Sequence, residues 1–182
     1  MSVTWGLFSL AIVNWDKPME EFDPDRGVGV ASLRTAVKAR EVGGNDGIGA
    51  YYQAIGHRVF DLVESVNEID TIKAAAVDAG FDASLVDEAL ADDSTWETLK
   101  SEHTILCDET RSFGVPTIRL EGGRGPALFG PVISNPPEST EEAVELWRHT
   151  RWLTAYDNFA ELKRDRLPPD LEAYKQRYGD GG

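Results

Sequence analysis

A long stretch with helical periodicity, flanked by short segments with strand patterns, limits most strongly what this chain can fold into. From Asp23 to about Phe113 apolar residues recur at helical spacing. Residues 3–13, before it, are rich in β-branched and aromatic residues and apolar on both faces, which predicts a strand covered on both sides. After it, residues 116–120 and 127–133 flank a glycine-rich turn and predict a hairpin. The sequence therefore predicts an α/β fold with an inserted helical subdomain.

Glycines and capping residues divide the helical stretch. Five helices are predicted: one ended by Gly43-Gly44, one starting near Ile48, one over Ile69–Ala79, a short one after Asp82, and one opening with the capping box Ser94-Thr95-Trp96-Glu97. A second capping box, Ser139-Thr140-Glu141-Glu142, predicts a closing amphipathic helix. The residues after Arg166 are expected to form a partly ordered tail.

Charge and cysteine content exclude several classes of function. The net charge of −14, from 32 acidic and 18 basic residues, opposes binding to nucleic acid or to an anionic membrane. No apolar run reaches the ~20 residues of a membrane span, and the start lacks a basic n-region, so a cytoplasmic location is expected. One cysteine, Cys107, excludes a disulfide within the chain. His57 and His149 lack a second spaced ligand pair, so neither a metal site nor a bound cofactor is predicted.

Several segments, in order along nearly the whole chain, carry a resemblance to a known family. They are Ser9-Leu10-Ala11-Ile12-Val13-Asn14, Ser101-x-His103, Gly114-Val115-Pro116-Thr117, Leu128-Phe129-Gly130-Pro131-Val132 and Phe159-x-Glu161-Leu162-Lys163-Arg164. The chain resembles DsbA-like proteins of thioredoxin fold, and most of all the mycothiol-dependent nitroreductase group. The resemblance implies a discontinuous thioredoxin-like part, 1–22 with 113–166, around a helical insertion at 23–112, followed by a tail at 167–182.

The resemblance also implies where substrate would bind. Pro116 corresponds to the cis-proline of such proteins, and its free backbone neighbours pair there with substrate. From the dipeptide alone, an ordinary trans proline entering a strand would be favoured. Val115 and Pro116 are therefore expected to position a small thiol or disulfide, with Trp5, Phe8 and His103 lining the cleft. Packing in the core is the alternative for each aromatic residue taken singly.

The element that carries the chemistry in such proteins is not among these residues. The family's first strand and its Cys-x-x-Cys helix come before the segment that corresponds to Val3–Val13, and the sequence contains neither cysteine. Without that strand the sheet would have two open edges. Three explanations are open: the protein starts upstream of Met1, a second chain supplies the strand, or the sheet is completed in another way. Pairing of two chains through an exposed strand edge would give a homodimer.

Cys107 offers a substitute nucleophile, because it follows His103 by four residues on a predicted helix. A small buried hydrophobic residue beside a separately paired histidine is the favoured interpretation. No catalytic residue is therefore assigned. We expect a thiol–disulfide oxidoreductase-like protein that uses mycothiol or a similar thiol as cosubstrate in its full-length form, inactive in dithiol chemistry from these residues alone. A non-catalytic binding protein that keeps the cleft and a thiol-dependent isomerase relative are the alternatives.

Overall fold

Helices account for most of the regular structure in the computed structural model, which describes residues 2–179. The chain divides into two units, Trp5–Leu106 and Met1–Thr4 with Cys107–Gly182. In the described residues the helices are α1 Leu10–Val13, α2 Val30–Phe60, α3 Ile69–Asp78, α4 Ser84–Ala91, α5 Asp93–Thr110, α6 Thr140–Ala155 and α7 Glu172–Tyr178, with a 3-10 turn at Met19–Glu21. The strands are β1 Thr117–Arg119 and β2 Ala127–Phe129. The chain is therefore mixed α/β and mostly helical.

The unit Trp5–Leu106 is built on α2. This helix packs against α3 and α4. The side chains that this packing removes almost completely from solvent include Val30, Val37, Ile48, Tyr51, Ile72 and Val86, and Leu99 of α5 is buried as well. Their spacing within each helix is the apolar periodicity seen in the sequence, so the predicted helical block is confirmed.

Gly44 interrupts α2. Its backbone has φ 63° and ψ −154°, outside the helical region, and the chain resumes a helical course directly afterwards. A side chain would be strained at this φ, which glycine adopts freely. The predicted separation of two helices at Gly43-Gly44 is therefore confirmed as a break within one long helical element.

A buried arginine closes the corner between α4 and α5. The Arg34 side chain is 5% exposed, and its Nη2 donates to the carbonyl oxygens of Ala89, Leu90 and Asp92. Its Nε donates to Thr95 Oγ1 at 2.9 Å. The last carbonyls of a helix have no N–H donor within the helix. The Arg34 guanidinium supplies donors for them at the end of α4. The sequence pattern gave no sign of this role.

The N-cap of one predicted capping box is confirmed, although the Glu142 carboxylate accepts the amide of Glu138 rather than that of Ser139. Ser139 Oγ accepts a hydrogen bond from the Glu142 amide at 3.1 Å, at the start of α6. The box at Ser94 was wrong, because α5 begins at Asp93. There the Asp92 carboxylate accepts from both the amide and the hydroxyl of Ser94. A carboxylate two residues earlier accepts more strongly than a hydroxyl and takes over the cap.

The strand expected over residues 3–13 was also wrong. Leu10–Val13 is a short helix whose N-cap is Ser9, and the residues before it pair with no strand in the part of the chain that the structure describes. Their amides donate to side chains instead, as detailed below. The expected cover on both faces is not observed either, since Val3 is 48% and Leu10 52% exposed, and within residues 3–13 only Leu7 and Ser9 are buried. This segment therefore offers no strand edge for the expected homodimer, and the open strand edges in the described residues are those of the two-stranded hairpin.

The hairpin is the core of the second unit. Strands β1 and β2 pair antiparallel, with Thr117 opposite Phe129 and Arg119 opposite Ala127. The turn 121–124 joins them, as predicted. Strand β2 ends at Phe129, earlier than the expected residue 133. Gly130 has φ 105° and Pro131 has no amide to donate, so the backbone pairing does not extend beyond Gly130.

The C-terminal segment is more ordered than expected over most of its length. Ser134 Oγ donates to the Leu167 carbonyl and the Asp170 amide donates to Asn135 Oδ1. Helix α7 follows. Residues 180–182 of the expected tail, and Met1, lie outside the described residues.

The unit boundaries differ from the expected domain limits. Residues 5–22 belong to the helical unit, whereas the resemblance implied that 1–22 would join the hairpin part.

None of the helices in residues 2–179 combines the length and the apolar character needed to cross a membrane.

Candidate functional site

An extended segment in the helical unit carries two of the predicted binding residues, Trp5 and Phe8. Alternate amides of this segment donate to side chains: Trp5 to Asn45 Oδ1 at 3.1 Å, Leu7 to Glu102 Oε1 at 2.9 Å, and Ser9 to His103 Nδ1 at 3.1 Å. Successive donors two residues apart are the geometry of a strand edge. Side chains from α2 and α5 thus take the place of a neighbouring strand.

Glu102 is held by an arginine while it accepts the Leu7 amide. Arg40 Nη1 donates to Glu102 Oε1 at 3.0 Å and Nη2 to Oε2 at 2.6 Å. This two-pronged pair fixes the carboxylate plane. Leu7 is buried, so leaving its amide without an acceptor would lower the stability of the folded state. The sequence analysis missed Glu102 and Arg40, because no local pattern connects residues 62 positions apart.

His103 lies within this arrangement rather than in an open cleft. Its residue exposure is 4%. Because Nδ1 accepts the Ser9 amide, that nitrogen carries no proton, and the neutral ring has its proton on Nε2. Burial lowers the pKa of His103 below its ordinary value. The Phe8 ring packs on the imidazole with centroids 4.7 Å apart. The structure therefore brings Phe8 and His103 together.

Trp5 lies at the other end of the same segment. Its indole packs against Tyr52, with ring centroids 4.9 Å apart. Gly49 allows this approach, since a Cβ built there would lie 2.9 Å from Trp5 Nε1. Tyr52 is 60% exposed, so this aromatic pair presents an accessible face.

Val115 and Pro116 belong to the other unit, in the loop before β1. Both are exposed, and the peptide bond that joins them is cis. The Pro116 carbonyl accepts from the Gly130 amide at 2.8 Å. Within residues 2–179 the backbone N–H and carbonyl of Val115 make no hydrogen bond. A ligand with a donor and an acceptor could pair with both.

Hydroxyl groups hold this loop against the hairpin. Ser112 Oγ donates to Thr117 Oγ1 at 2.8 Å, and Thr117 Oγ1 donates to the Gly114 carbonyl at 3.0 Å. Phe113 packs on Phe129 with centroids 4.6 Å apart. A Cβ at Gly114 would lie 3.3 Å from the Phe129 ring, so the glycine lets the loop approach. The Val115 backbone is thereby presented from a fixed loop.

Cys107 has the properties of a thiol that stays protonated. It is half-buried rather than fully buried. Burial, and secondly the negative charge of Asp108, raise the pKa of its thiol. A nucleophilic cysteine needs the opposite environment, with positive charge and a lowered pKa. Residues 2–179 also hold no cluster of three or more His, Cys, Asp or Glu side chains arranged for a metal ion.

Comparison with known proteins agrees with the resemblance found in the sequence. A family model described as "Rv2466c-like: Mycothiol-dependent nitroreductase Rv2466c" matches residues 1–164. A curated relative, "Uncharacterized protein Rv2286c" of Mycobacterium tuberculosis, is 27% identical over 185 residues. The match covers the whole of this chain and 78% of that relative.

Proposed function

Because the chain belongs to the Rv2466c-like, mycothiol-dependent nitroreductase family, we propose that it is a thiol-dependent oxidoreductase of thioredoxin-like, DsbA type in which the Val115 loop positions the substrate. The cosubstrate is a small thiol, mycothiol or a close analogue. In such chemistry two thiols become one disulfide, and the acceptor gains two electrons and two protons.

The exposed Val115 backbone carries this proposal. The Val115 N–H and carbonyl point to no partner in residues 2–179, and the surrounding loop is fixed by the hydroxyl contacts and by Phe113. An amide-bearing thiol or its disulfide has the matching acceptor and donor. Fixed, unpaired backbone groups bind such a ligand with little loss of conformational freedom.

Calorimetry with the oxidised form of mycothiol tests this role. We expect saturable binding to the 182-residue protein. Val115→Pro removes the amide donor and should weaken binding about tenfold, the effect of one well-placed hydrogen bond of ~1.5 kcal/mol. Val115→Ala keeps the backbone groups and should bind nearly as the parent does. Equal loss in both variants would contradict the proposed backbone pairing.

A second candidate function, a binding protein without redox chemistry, is favoured by Cys107. This is the one cysteine of the sequence, and the pKa of its thiol is raised. Reduction of a nitro compound in the presence of excess mycothiol tests whether these 182 residues carry out redox chemistry themselves. We expect these residues alone to give no turnover while ligand binding persists. Turnover that survives Cys107→Ser would show that another group performs the chemistry.

A further inference from the structure

Helix α6 carries two tryptophans and two arginines on one face. The residues on this face follow the helical spacing i, i+1, i+4, i+5, i+8 and line a cavity of about 340 Å³: Trp147, Arg148, Arg151, Trp152 and Ala155. This volume lies at the lower end of the range of small-molecule sites. All five of these lining residues belong to helix α6 of the hairpin unit.

The cavity is cationic in a strongly acidic chain. Arg148 pairs with Glu145 one turn earlier. Arg151 is exposed and makes no ion pair or hydrogen bond within residues 2–179. Two arginines against one glutamate leave a positive charge in a protein of net charge −14. The unpaired guanidinium fork fits a carboxylate in two-pronged geometry.

Trp152 provides a preformed aromatic surface beside that guanidinium. It is 63% exposed, which is unusual for so large an apolar ring. The Tyr156 ring stacks on it, with centroids 5.3 Å apart and planes inclined by 18°. This contact fixes the orientation of the indole. A planar ring can therefore stack on Trp152 without ordering the side chain first.

We propose that this face of α6 binds a planar aromatic carboxylate of low molecular weight. The ring stacks on Trp152 and the carboxylate pairs with the Arg151 guanidinium. A protein partner is not the occupant proposed, because a standard interface engages about 20–30 residues on each side, and the cavity has five. Binding is non-covalent and does not involve Val115 or a thiol.

Calorimetry with 2-naphthoate and its neutral counterpart 2-naphthamide tests the proposal on the whole 182-residue protein. We expect naphthoate to saturate the protein and to bind about tenfold more tightly than naphthamide, since the extra free energy of a charge-assisted hydrogen bond over a neutral one corresponds to about this difference in affinity. Arg151→Gln should remove that tenfold preference. Trp152→Leu should weaken both ligands about three- to tenfold.

Arg124 gives a matched control, because it is also exposed and lies in the turn of the same unit. Arg124→Gln should leave naphthoate binding unchanged, and circular dichroism should show each variant folded. Equal affinities for naphthoate and naphthamide would overturn the proposal, as would an equal loss in Arg124→Gln and Arg151→Gln. Failure of naphthoate to bind, with saturable binding of an acidic peptide, would overturn it in favour of a macromolecular partner.

Discussion

The backbone N–H of Ser9 donates to Nδ1 of His103 at 3.1 Å, and both residues are buried. This hydrogen bond requires an unprotonated Nδ1. Together with Glu102, it joins the extended segment at residues 5–9 to helix α5. The attachment of that segment therefore depends on the protonation state of one imidazole.

Stability should consequently fall in mild acid. Burial lowers the folded-state pKa of His103, so the unfolded chain binds its proton first, near pH 6.5. The stabilisation from neutral His103 is fully present above pH 6.5. It is lost as pH falls towards the lower folded-state pKa, with a decrease in unfolding free energy of up to ~1.4 kcal/mol per pH unit. Urea unfolding at pH 7.5, 6.5 and 5.5 measures it.

His103→Asn is the matched control, because its Oδ1 can accept the Ser9 amide and does not titrate. The unfolding free energy of the parent should fall as pH falls from 7.5 to 5.5. That of His103→Asn should fall less over the same range. A pH-independent difference would contradict the role given to His103.

Glu102 should be the more important of the two side-chain acceptors. Glu102→Ala leaves the buried Leu7 amide without an acceptor and Arg40 without its carboxylate. We expect a loss of about 2–3 kcal/mol in unfolding free energy. Glu102→Gln keeps an acceptor oxygen and should lose less. If both variants lose the same amount, the ion pair with Arg40, rather than the Leu7 amide, accounts for the effect.

Gly49 and Gly56 form a matched pair within α2. A Cβ at Gly49 would lie 2.9 Å from Trp5 Nε1, whereas one at Gly56 meets nothing within 4 Å. Gly49→Ala should displace Trp5 and destabilise by about 1–2 kcal/mol. Gly56→Ala should stabilise by ~0.5–1 kcal/mol through helix propensity. Thermal unfolding followed at 222 nm measures both, and equal signs for the two would argue against the Trp5 contact.

Val63 has φ 58°, which is unfavourable for a β-branched side chain. It lies just after α2, where the Glu64 amide donates to the Arg58 carbonyl at 2.9 Å. Val63→Gly should raise the unfolding free energy by about 1 kcal/mol. Leu62→Gly, at a neighbouring position without positive φ, should lower it instead. Chemical denaturation of the two variants compares them directly, and a loss in Val63→Gly would mean that its side-chain packing outweighs the backbone strain.

Cys107 should react slowly with iodoacetamide at neutral pH. Since its thiol pKa is raised, the thiolate is scarce there. The alkylation rate, followed by mass spectrometry, should still be rising with pH at pH 9. Rapid stoichiometric modification at pH 7 would restore Cys107 as a candidate nucleophile.

Periodicity identified helices α2 to α6 and the hairpin, because the spacing of apolar residues shows which face of an element is buried. It missed the short helices α1 and α7. It could not identify the partners of the amides of Leu7 and Ser9, which are side chains more than ninety positions away. The same limit hid Arg34, whose acceptors lie 55–61 positions along the chain. For the candidate site, the sequence named Phe8 and His103, which contact each other, but not the acceptors that hold the segment.

Because of the break at Gly44, the directions in which side chains point in the second half of α2 are independent of those in the first half. In an uninterrupted helix, one inserted residue would rotate everything beyond it by about 100° and turn Tyr51 and Ile55 out of the core. Here the backbone leaves the helix at one residue and resumes afterwards. Length changes at residues 43–45 can therefore be absorbed in the connection. This junction is where we expect related chains to differ in length while keeping the same buried faces.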